Sequence, residues 1–202
     1  MRLVLPRRAI YALCGLAASC FAGCASPTAG FDYSSLQNRC QGSFTLESGD
    51  VVRVHVWNEP NHSRDAVLVR PDGRISLPLL GDVQAAGLTV GDLSGVVRGK
   101  LQTFVPNPRV DVSLLTARSY QIFVMGEVRT PGTFTPQSQV NVLQSLSLAG
   151  GFTAFAKKDS ITVVWKGPKG EVRIPFSYEE TLKGERQQQN VPLCRGDTVL
   201  VP

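Results

Sequence analysis

Apolar residues at every second position predict the first strand of this chain. The segment VVRVHVW (51–57) places three valines at alternate positions, with Arg, His and Trp between them. Because side chains of a strand point alternately to its two faces, this pattern indicates a half-buried β-strand. Similar patterns predict further strands over 66–69, 75–79, 83–85, 110–114, 121–124, 161–165, 172–176 and 198–201.

Two other segments have the spacing of amphipathic helices. Leucine, valine and phenylalanine recur every three or four residues over Thr89–Phe104, and Thr89 with Asp92 has the spacing of a capping box. A second helix is predicted from Asn141 through Ala149, ended by Gly150 and Gly151. The whole pattern predicts an α+β protein of two strand-rich units, over about 44–117 and 119–202.

Turn residues are dense in VRPDGRISLPLLGDVQAAGLT (69–89). Pro71–Gly73 predicts a hairpin turn, because proline restricts φ and Asp-Gly favours the positive φ of a tight turn. Pro78 inside the return strand indicates a sheet edge or a bulge. Gly81 and Asp82 predict a second turn, and Gly87 is predicted to end the short strand 83–85.

The first residues have the composition of a secretory signal. Residues 1–8 carry three arginines and no acid, and the apolar run 9–21 is shorter than the ~20 residues of a membrane span. FAGC (21–24) resembles the lipobox of bacterial lipoproteins, which predicts cleavage after residue 23 and acylation of Cys24. AASC (17–20) is a weaker alternative, and ordinary signal cleavage that leaves Cys24 unmodified is another. Residues 24–43 lack periodicity and predict a tether.

Loss of the signal changes both the charge and the cysteine count. Three arginines and no acid leave with it, so the net charge falls from +5 to +2, too weakly basic to indicate nucleic-acid binding. Cys14 and Cys20 leave as well. In an oxidising compartment the remaining Cys40 and Cys194 predict one disulfide, the alternative being two separately buried thiols.

The sequence offers little for catalysis or metal binding. His55 and His62 have no cysteine or carboxylate at ligand spacing, and the Gly-x-Ser-x-Gly motif is absent. Asp72 and Asp82 could be imagined as a glycosidase pair, but each adjoins a glycine in a turn. We therefore expect no enzymatic activity, no metal site and no cofactor. We interpret residues 69–89 as a segment whose turn residues shape the backbone.

The order of the motifs resembles a known family. Residues 49–57, 69–89 and NPRVDV (107–112) resemble the polysaccharide export domain of outer-membrane polysaccharide export lipoproteins of the Wza type. Residues 124–134, 142–156 and 193–202 resemble a soluble-ligand-binding β-grasp (SLBB) domain. The resemblance implies structural roles in the export motif for Pro71, Asp72, Gly73, Leu77, Pro78, Gly81 and Gly87. In the SLBB motif it implies them for Gly126, Pro131, Gly132, Gly150 and Gly151.

The resemblance also implies a non-enzymatic function. Members form ring-shaped homo-oligomers, octameric in the archetype, which are lipid-anchored at the periplasmic face of the outer membrane. They pass capsule or exopolysaccharide outward and dock on an inner-membrane copolymerase with an associated tyrosine kinase. The archetype ends in an amphipathic pore helix, whereas this sequence stops after a predicted strand, so we expect a separate outer-membrane β-barrel. The alternative is a lipid-anchored glycan-binding or envelope-scaffolding module that forms no conduit.

Acylation at Cys24 can be tested by substitution. Cys24→Ala removes the thiol that accepts the diacylglycerol, so the unprocessed precursor should remain in the inner membrane. Ala25 and Ser26 lack an acidic retention signal, and the wild-type protein should therefore reach the outer membrane. Gel mobility and membrane fractionation measure both effects, and normal processing and sorting of the variant would contradict the prediction.

Overall fold

The computed structural model describes Thr28 and residues 30–40, 42–167 and 170–202. The lipobox and Cys24 lie outside these residues, so lipidation stays a prediction. Within them the chain forms ten strands and three α-helices, the strand-rich α+β architecture that the sequence predicts. The apolar side chains gather into two separate cores, one in each unit.

The first unit contains a three-stranded antiparallel sheet in the order β2-β1-β5 and a separate antiparallel pair, β3 and β4. Its elements are β1 (Val51–Val56), β2 (Arg64–Leu68), β3 (Arg74–Leu77), β4 (Gly81–Gln84), α1 (Val90–Leu101) and β5 (Val110–Thr116). In β1 the alternation holds as predicted. Val52, Val54 and Val56 are buried in the core.

Helix α1 closes this core. Thr89 caps it through a reciprocal pair of hydrogen bonds, in which its hydroxyl accepts the Asp92 N–H and the Asp92 carboxylate accepts the Thr89 N–H. Leu93, Val97 and Leu101 are buried. The helix ends at Leu101, earlier than the predicted Phe104, because the Phe104 N–H donates to the Leu101 carbonyl in a tighter turn.

The second unit contains one five-stranded sheet in the order β7-β6-β10-β8-β9. Strand β10 is central, parallel to β6 and antiparallel to β8. The elements are β6 (Ile122–Gly126), β7 (Gly132–Phe134), α2 (Val142–Leu148), β8 (Ile161–Gly167), β9 (Gly170–Phe176), α3 (Tyr178–Leu182) and β10 (Thr198–Val201). Asn141 caps α2, as the sequence predicts, and its reciprocal hydrogen bonds with Gln144 form a capping box.

The predicted turn at Pro71–Gly73 is present, because the Gly73 N–H donates to the Arg70 carbonyl at 2.8 Å and Gly73 has φ +77°. The predicted hairpin of paired strands on either side of it is wrong. Strand β2 pairs with β1, and β3 pairs with β4, so this turn joins two sheets rather than two paired strands. The predicted return strand also ends early, at Leu77. The Leu80 N–H donates to the Pro78 carbonyl at 2.7 Å, and this three-residue turn holds Leu79 at φ +60° and leaves it 57% exposed.

Residues 30–40 are not the free tether that the sequence predicts. Tyr33, which precedes a short 3₁₀ turn (Ser34–Leu36), and Leu36, its last residue, are buried in the core of the second unit. The Tyr33 hydroxyl donates to the Pro175 carbonyl at 2.7 Å, and burial raises the pKa of Tyr33 to about 12. A single turn contributes too few apolar residues to show a period, which is why the sequence pattern missed it.

The predicted Cys40–Cys194 disulfide is present, with the two Cα atoms 5.4 Å apart. It ties the N-terminal segment to the residues that lead into β10. Two similar Gly-Asp motifs, Gly49–Asp50 and Gly196–Asp197, directly precede β1 and β10. These two strands do not pair, since β1 and β10 lie in different sheets. The disulfide therefore forms through the packing of residues 30–40 and not through a pairing of the two ends.

Gly126 allows a sharp test of the second sheet. Its φ is +95°, and a Cβ atom there would lie 1.9 Å from the Val201 carbonyl oxygen of β10. We expect Gly126→Ala to lower the free energy of unfolding by about 2–4 kcal/mol, measured by urea denaturation. Gly132→Ala is the control, because a Cβ there meets no atom within 4 Å. Equal stability of the two variants would contradict the close approach.

Candidate functional site

The carboxylates that the sequence singled out both bind one arginine. The Arg70 guanidinium contacts Asp72 at 2.5 Å and Asp82 at 2.7 Å, with a second nitrogen–oxygen contact to each. Asp72 also accepts the Arg74 N–H, which holds the turn. The hydrogen bonds from Arg70 lower the pKa of Asp72 to about 2. An acid held ionised in this way is unsuited to general-acid catalysis. This agrees with the interpretation that Asp72 shapes the backbone of the turn.

Arg70 itself was missed by the sequence analysis. The available signal was its position two residues before Asp72, but the partnership with Asp82 depends on how β3 and β4 fold back. All three side chains remain roughly half exposed. Ion pairs at such sites contribute little stability, so the cluster orders the turn more than it stabilises the fold.

The other predicted export-motif residues surround this cluster. Gly73 has φ +77°, a Cβ on it would lie 2.9 Å from the Ala86 Cβ, and its carbonyl accepts the N–H groups of Ala85 and Ala86. These two hydrogen bonds therefore connect the Pro71–Gly73 turn to the end of β4. The remaining predicted residues lie in the core or at strand ends: Leu77 is buried in the core, Pro78 follows β3, Gly81 begins β4 and Gly87 follows it.

The predicted SLBB residues meet at another place, in the second unit. Gly126 ends β6, and Pro131 and Gly132 lead into β7. Backbone hydrogen bonds join the intervening turn to the end of α2, where Arg129 N–H donates to the Gly151 carbonyl and Thr130 N–H to that of Ala149. Gly150 and Gly151 thus end the helix as predicted. The two motifs do not converge on one site.

The two units are joined through a buried carboxylate. Asp50 is fully buried and accepts three hydrogen bonds, from the Glu47 N–H at 2.9 Å, the Ser119 N–H at 2.8 Å and the Ser119 hydroxyl at 2.9 Å. Ser119 lies in the connection between β5 and β6. A buried carboxylate is costly without such donors, so Asp50 holds the connection in one place.

Arg195 crosses the junction from the second unit. Its guanidinium donates to the Thr45 carbonyl at 3.2 Å and to the Ser119 hydroxyl at 3.1 Å, and it pairs with Glu47 at 2.9 Å. It also lies 5.7 Å from the centre of the Phe44 ring. Neither Arg195 nor Asp50 was among the residues that the sequence singled out.

The second Gly-Asp motif is built in the same way. Asp197 is buried, accepts the Cys194 N–H at 2.8 Å and forms an ion pair with Arg39. Burial raises the pKa of Asp197, and the Arg39 guanidinium opposes that shift. Arg39 also donates to the Pro192 carbonyl at 2.9 Å and lies 5.3 Å from the centre of the Trp165 ring. The N-terminal segment is therefore bound by charge as well as by the disulfide.

A cleft of about 530 Å³ opens between these contacts. Both units contribute to its walls, and the disulfide lies at its edge. The lining residues are Arg39, Cys40, Gly42, Ser43, Phe44, Thr45, Leu114, Ala117, Tyr120, Gln137, Ser138, Gln139, Cys194 and Arg195. The Tyr120 hydroxyl is already engaged, since it donates to the Leu193 carbonyl and accepts the Val140 N–H.

Comparison with known families agrees with this two-unit arrangement. Residues 39–115 match the polysaccharide biosynthesis/export protein family, and residues 121–177 match the SLBB domain. The chain belongs to the polysaccharide export family. This confirms the resemblance drawn from the motifs.

Three curated relatives are similar in sequence to most of this chain. The polysialic acid transport protein KpsD of Escherichia coli is 33% identical over 159 residues, which are 78% of this chain and 28% of KpsD. The capsule polysaccharide export outer membrane protein CtrA of Neisseria meningitidis is 26% identical over 77% of this chain and 43% of CtrA. The exopolysaccharide production protein ExoF of Rhizobium meliloti is 27% identical over 66% and 32%, respectively. The chain thus spans less than half the length of these relatives.

Two other kinds of site are absent from the described part of the chain. No helix in it is long and apolar enough to cross a membrane. Nor does it bring together three or more His, Cys, Asp or Glu side chains that could hold a metal ion.

The arginine cluster predicts a specific acid titration. The Asp72 carboxyl should titrate with a pKa of about 2, and Arg70→Ala should raise it towards the ordinary value of 3.8. Because the folded-state pKa is the lower one, the contribution to stability is present above about pH 4 and is lost as the pH falls through about 2. Side-chain carboxyl NMR measures the shift. Arg53→Ala, on β1, is the control and should leave Asp72 unchanged; an unshifted Asp72 in Arg70→Ala would contradict the cluster.

Proposed function

We propose that this protein is the periplasmic, outer-membrane-anchored component of a capsule or exopolysaccharide export complex, in which it forms a ring-like conduit. The observation that carries the proposal is the succession of an export domain and an SLBB domain, matched at 39–115 and 121–177. Relatives that match about two thirds or more of this chain are named for the transport of polysialic acid, the export of capsule polysaccharide and the production of exopolysaccharide.

The contacts between the units support a structural role in that complex. A subunit of a ring must present its surfaces to two neighbours at a constant angle. Asp50, Ser119 and Arg195 hold the two units through hydrogen bonds that include a buried carboxylate. The proposal is non-enzymatic, and in keeping with it Asp72 and Asp82 are both engaged by Arg70.

Exposed apolar side chains on the first unit favour assembly with further copies. Phe104 is 56% exposed just beyond α1, and Val96 is partly exposed on the helix itself. Trp57, at the end of β1, is also exposed. Full burial of such a side chain contributes about 1.5–3 kcal/mol to the free energy of association. Burial of a few of them in each subunit contact therefore stabilises a ring. We place the subunit contacts on α1 and the strands of the first unit.

The location and partners belong to the same proposal. Acylation of Cys24 attaches the protein to the outer membrane, at about 0.8 kcal/mol per buried methylene of the acyl chains. CtrA and the EPS I polysaccharide export protein EpsA are named as outer membrane proteins, which supports this location. The partners are the exported polysaccharide, an inner-membrane copolymerase with its tyrosine kinase, and an outer-membrane β-barrel.

Gene deletion with complementation tests the function and the ring together. Deletion should stop surface polysaccharide while its precursors are still made inside the cell, and the wild-type gene should restore export. Phe104→Asp places a charge where we expect a neighbouring copy, so the variant should sediment as a smaller species and restore less export. Surface polysaccharide assays and analytical ultracentrifugation of the purified protein measure the two effects.

Leu182→Asp is the matched control. Leu182 is 65% exposed on α3 of the second unit, away from the proposed contacts, so this variant should assemble and export normally. Continued export after deletion would contradict the function. A wild-type protein that exports as a stable monomer would contradict the ring and favour a glycan-binding or scaffolding module.

A further inference from the structure

The cleft between the two units has the dimensions of a ligand site. Its volume of about 530 Å³ lies within the roughly 300–1,000 Å³ of pockets that bind small molecules. Residues 42–45, which precede β1, line the cleft together with Gln137–Gln139 from the connection between β7 and α2. Because Asp50 and Arg195 fix the two units, these two segments are held in one arrangement.

The charges that line this cleft are already paired. Arg39 forms its ion pair with Asp197, and Arg195 forms its pair with Glu47. Tyr120 is the other titratable residue of the lining, apart from the two disulfide-bonded cysteines, and burial raises its pKa, so its hydroxyl stays neutral. An acidic ligand would find no unpaired cation here. Electrostatic complementarity therefore favours an uncharged ligand.

The rim of the cleft offers uncharged hydrogen-bonding groups. Ser43, Gln137, Ser138 and Gln139 are exposed, and within the described part of the chain their side chains make no hydrogen bond that would have to be broken. Amides and hydroxyls can both donate and accept. A ligand covered with hydroxyl groups, which also donate and accept, matches this rim better than an ammonium or a carboxylate does.

Part of the lining is apolar. Phe44 is 37% exposed with its ring beside the Arg195 guanidinium, and the partly buried Leu114 and Ala117 line the same cleft. An apolar surface with a polar rim suits a ring that has a face of C–H groups and an edge of hydroxyls. That combination is characteristic of a sugar.

We propose that this cleft binds a short uncharged stretch of a saccharide chain, with Phe44 as the apolar platform and Gln137–Gln139 as hydrogen-bonding partners. The inference rests on the proposed function only for the source of the saccharide. It adds a direct binding site, which a ring that merely surrounds a polymer would not need.

Binding can be measured on the full mature protein in detergent. The probes are tetra- to hexasaccharides released from the host's surface glycan by partial hydrolysis and separated by anion exchange into an uncharged and an acidic pool. In saturation-transfer NMR and titration calorimetry, the uncharged pool should bind saturably and more tightly than the acidic pool. Phe44→Ala and Gln139→Ala should each weaken that binding at least tenfold.

Matched variants separate binding from stability. Phe155→Ala is the control for Phe44, since Phe155 is 83% exposed and does not line the cleft, and Gln188→Ala is the control for Gln139. Both controls should bind as the wild type does. The melting temperature of each variant is recorded, so that a loss of binding by an unfolded protein is recognised, and Gln139→Ala at the exposed rim supplies the decisive value if Phe44→Ala is unstable.

Three results would overturn the proposal: no saturable binding of either pool, tighter binding of the acidic pool, or unchanged binding by both cleft variants. A photo-reactive residue at position 139 that cross-links to a second copy of the chain would also overturn it, because the cleft would then be a subunit contact. The complemented deletion strain keeps the two failures apart. If the wild-type protein restores export but binds no saccharide, the cleft inference fails and the export function stands.

Discussion

The buried carboxylate of Asp50 is the contact on which the arrangement of the two units depends. Each unit has its own core, so either core alone would leave the orientation of the other undetermined. Asp50 removes that freedom because it accepts hydrogen bonds from Glu47 within the first unit and from Ser119 in the connection to the second unit. In a buried setting, each of these bonds is costly to break. The connection is therefore held at a defined angle.

The same device occurs twice in the chain. In both Gly-Asp turns the aspartate accepts the N–H of the residue three positions earlier, Glu47 for Asp50 and Cys194 for Asp197. The glycine before each has a positive φ, which lets the carboxylate fold back. The carboxylate oxygens also bind a second partner, which differs between the two turns. For Asp50 it is Ser119 in the connection, and for Asp197 it is Arg39. One local motif thus serves to join the units and to fasten the N-terminal segment.

These two turns also create the cleft. Arg195 lies between the turn residues Cys194 and Gly196, and it reaches across to Thr45 and Glu47. The disulfide from Cys194 brings Cys40 to the same place. The walls of the cleft are consequently anchored by a covalent bond and by buried charges on both sides. A surface built in this way keeps its shape, and a preorganised surface loses less conformational freedom when a ligand binds to it.

Local sequence determined the elements themselves. Alternation in 51–57 predicted β1, the Thr89–Asp92 spacing predicted the start of α1, and the cysteine count predicted the disulfide, because each depends on near neighbours or on chemistry alone. The order of the motifs was sufficient to indicate the polysaccharide export family. For the same reason the glycines and prolines of both motifs could be singled out without a structure.

Only the tertiary structure decided which elements pair and what the polar side chains do. The pairing of β3 with β4 instead of β2, the burial of Tyr33 and the two-sided contacts of Arg70 all join residues through packing that no local pattern encodes. Asp50 and Asp197 look like ordinary turn residues in the sequence, and their partners, Ser119 and Arg39, lie 69 and 158 positions away. Hydrogen-bond partners at such separations are chosen by the folded backbone, so the junction and its cleft could not be foreseen from the sequence.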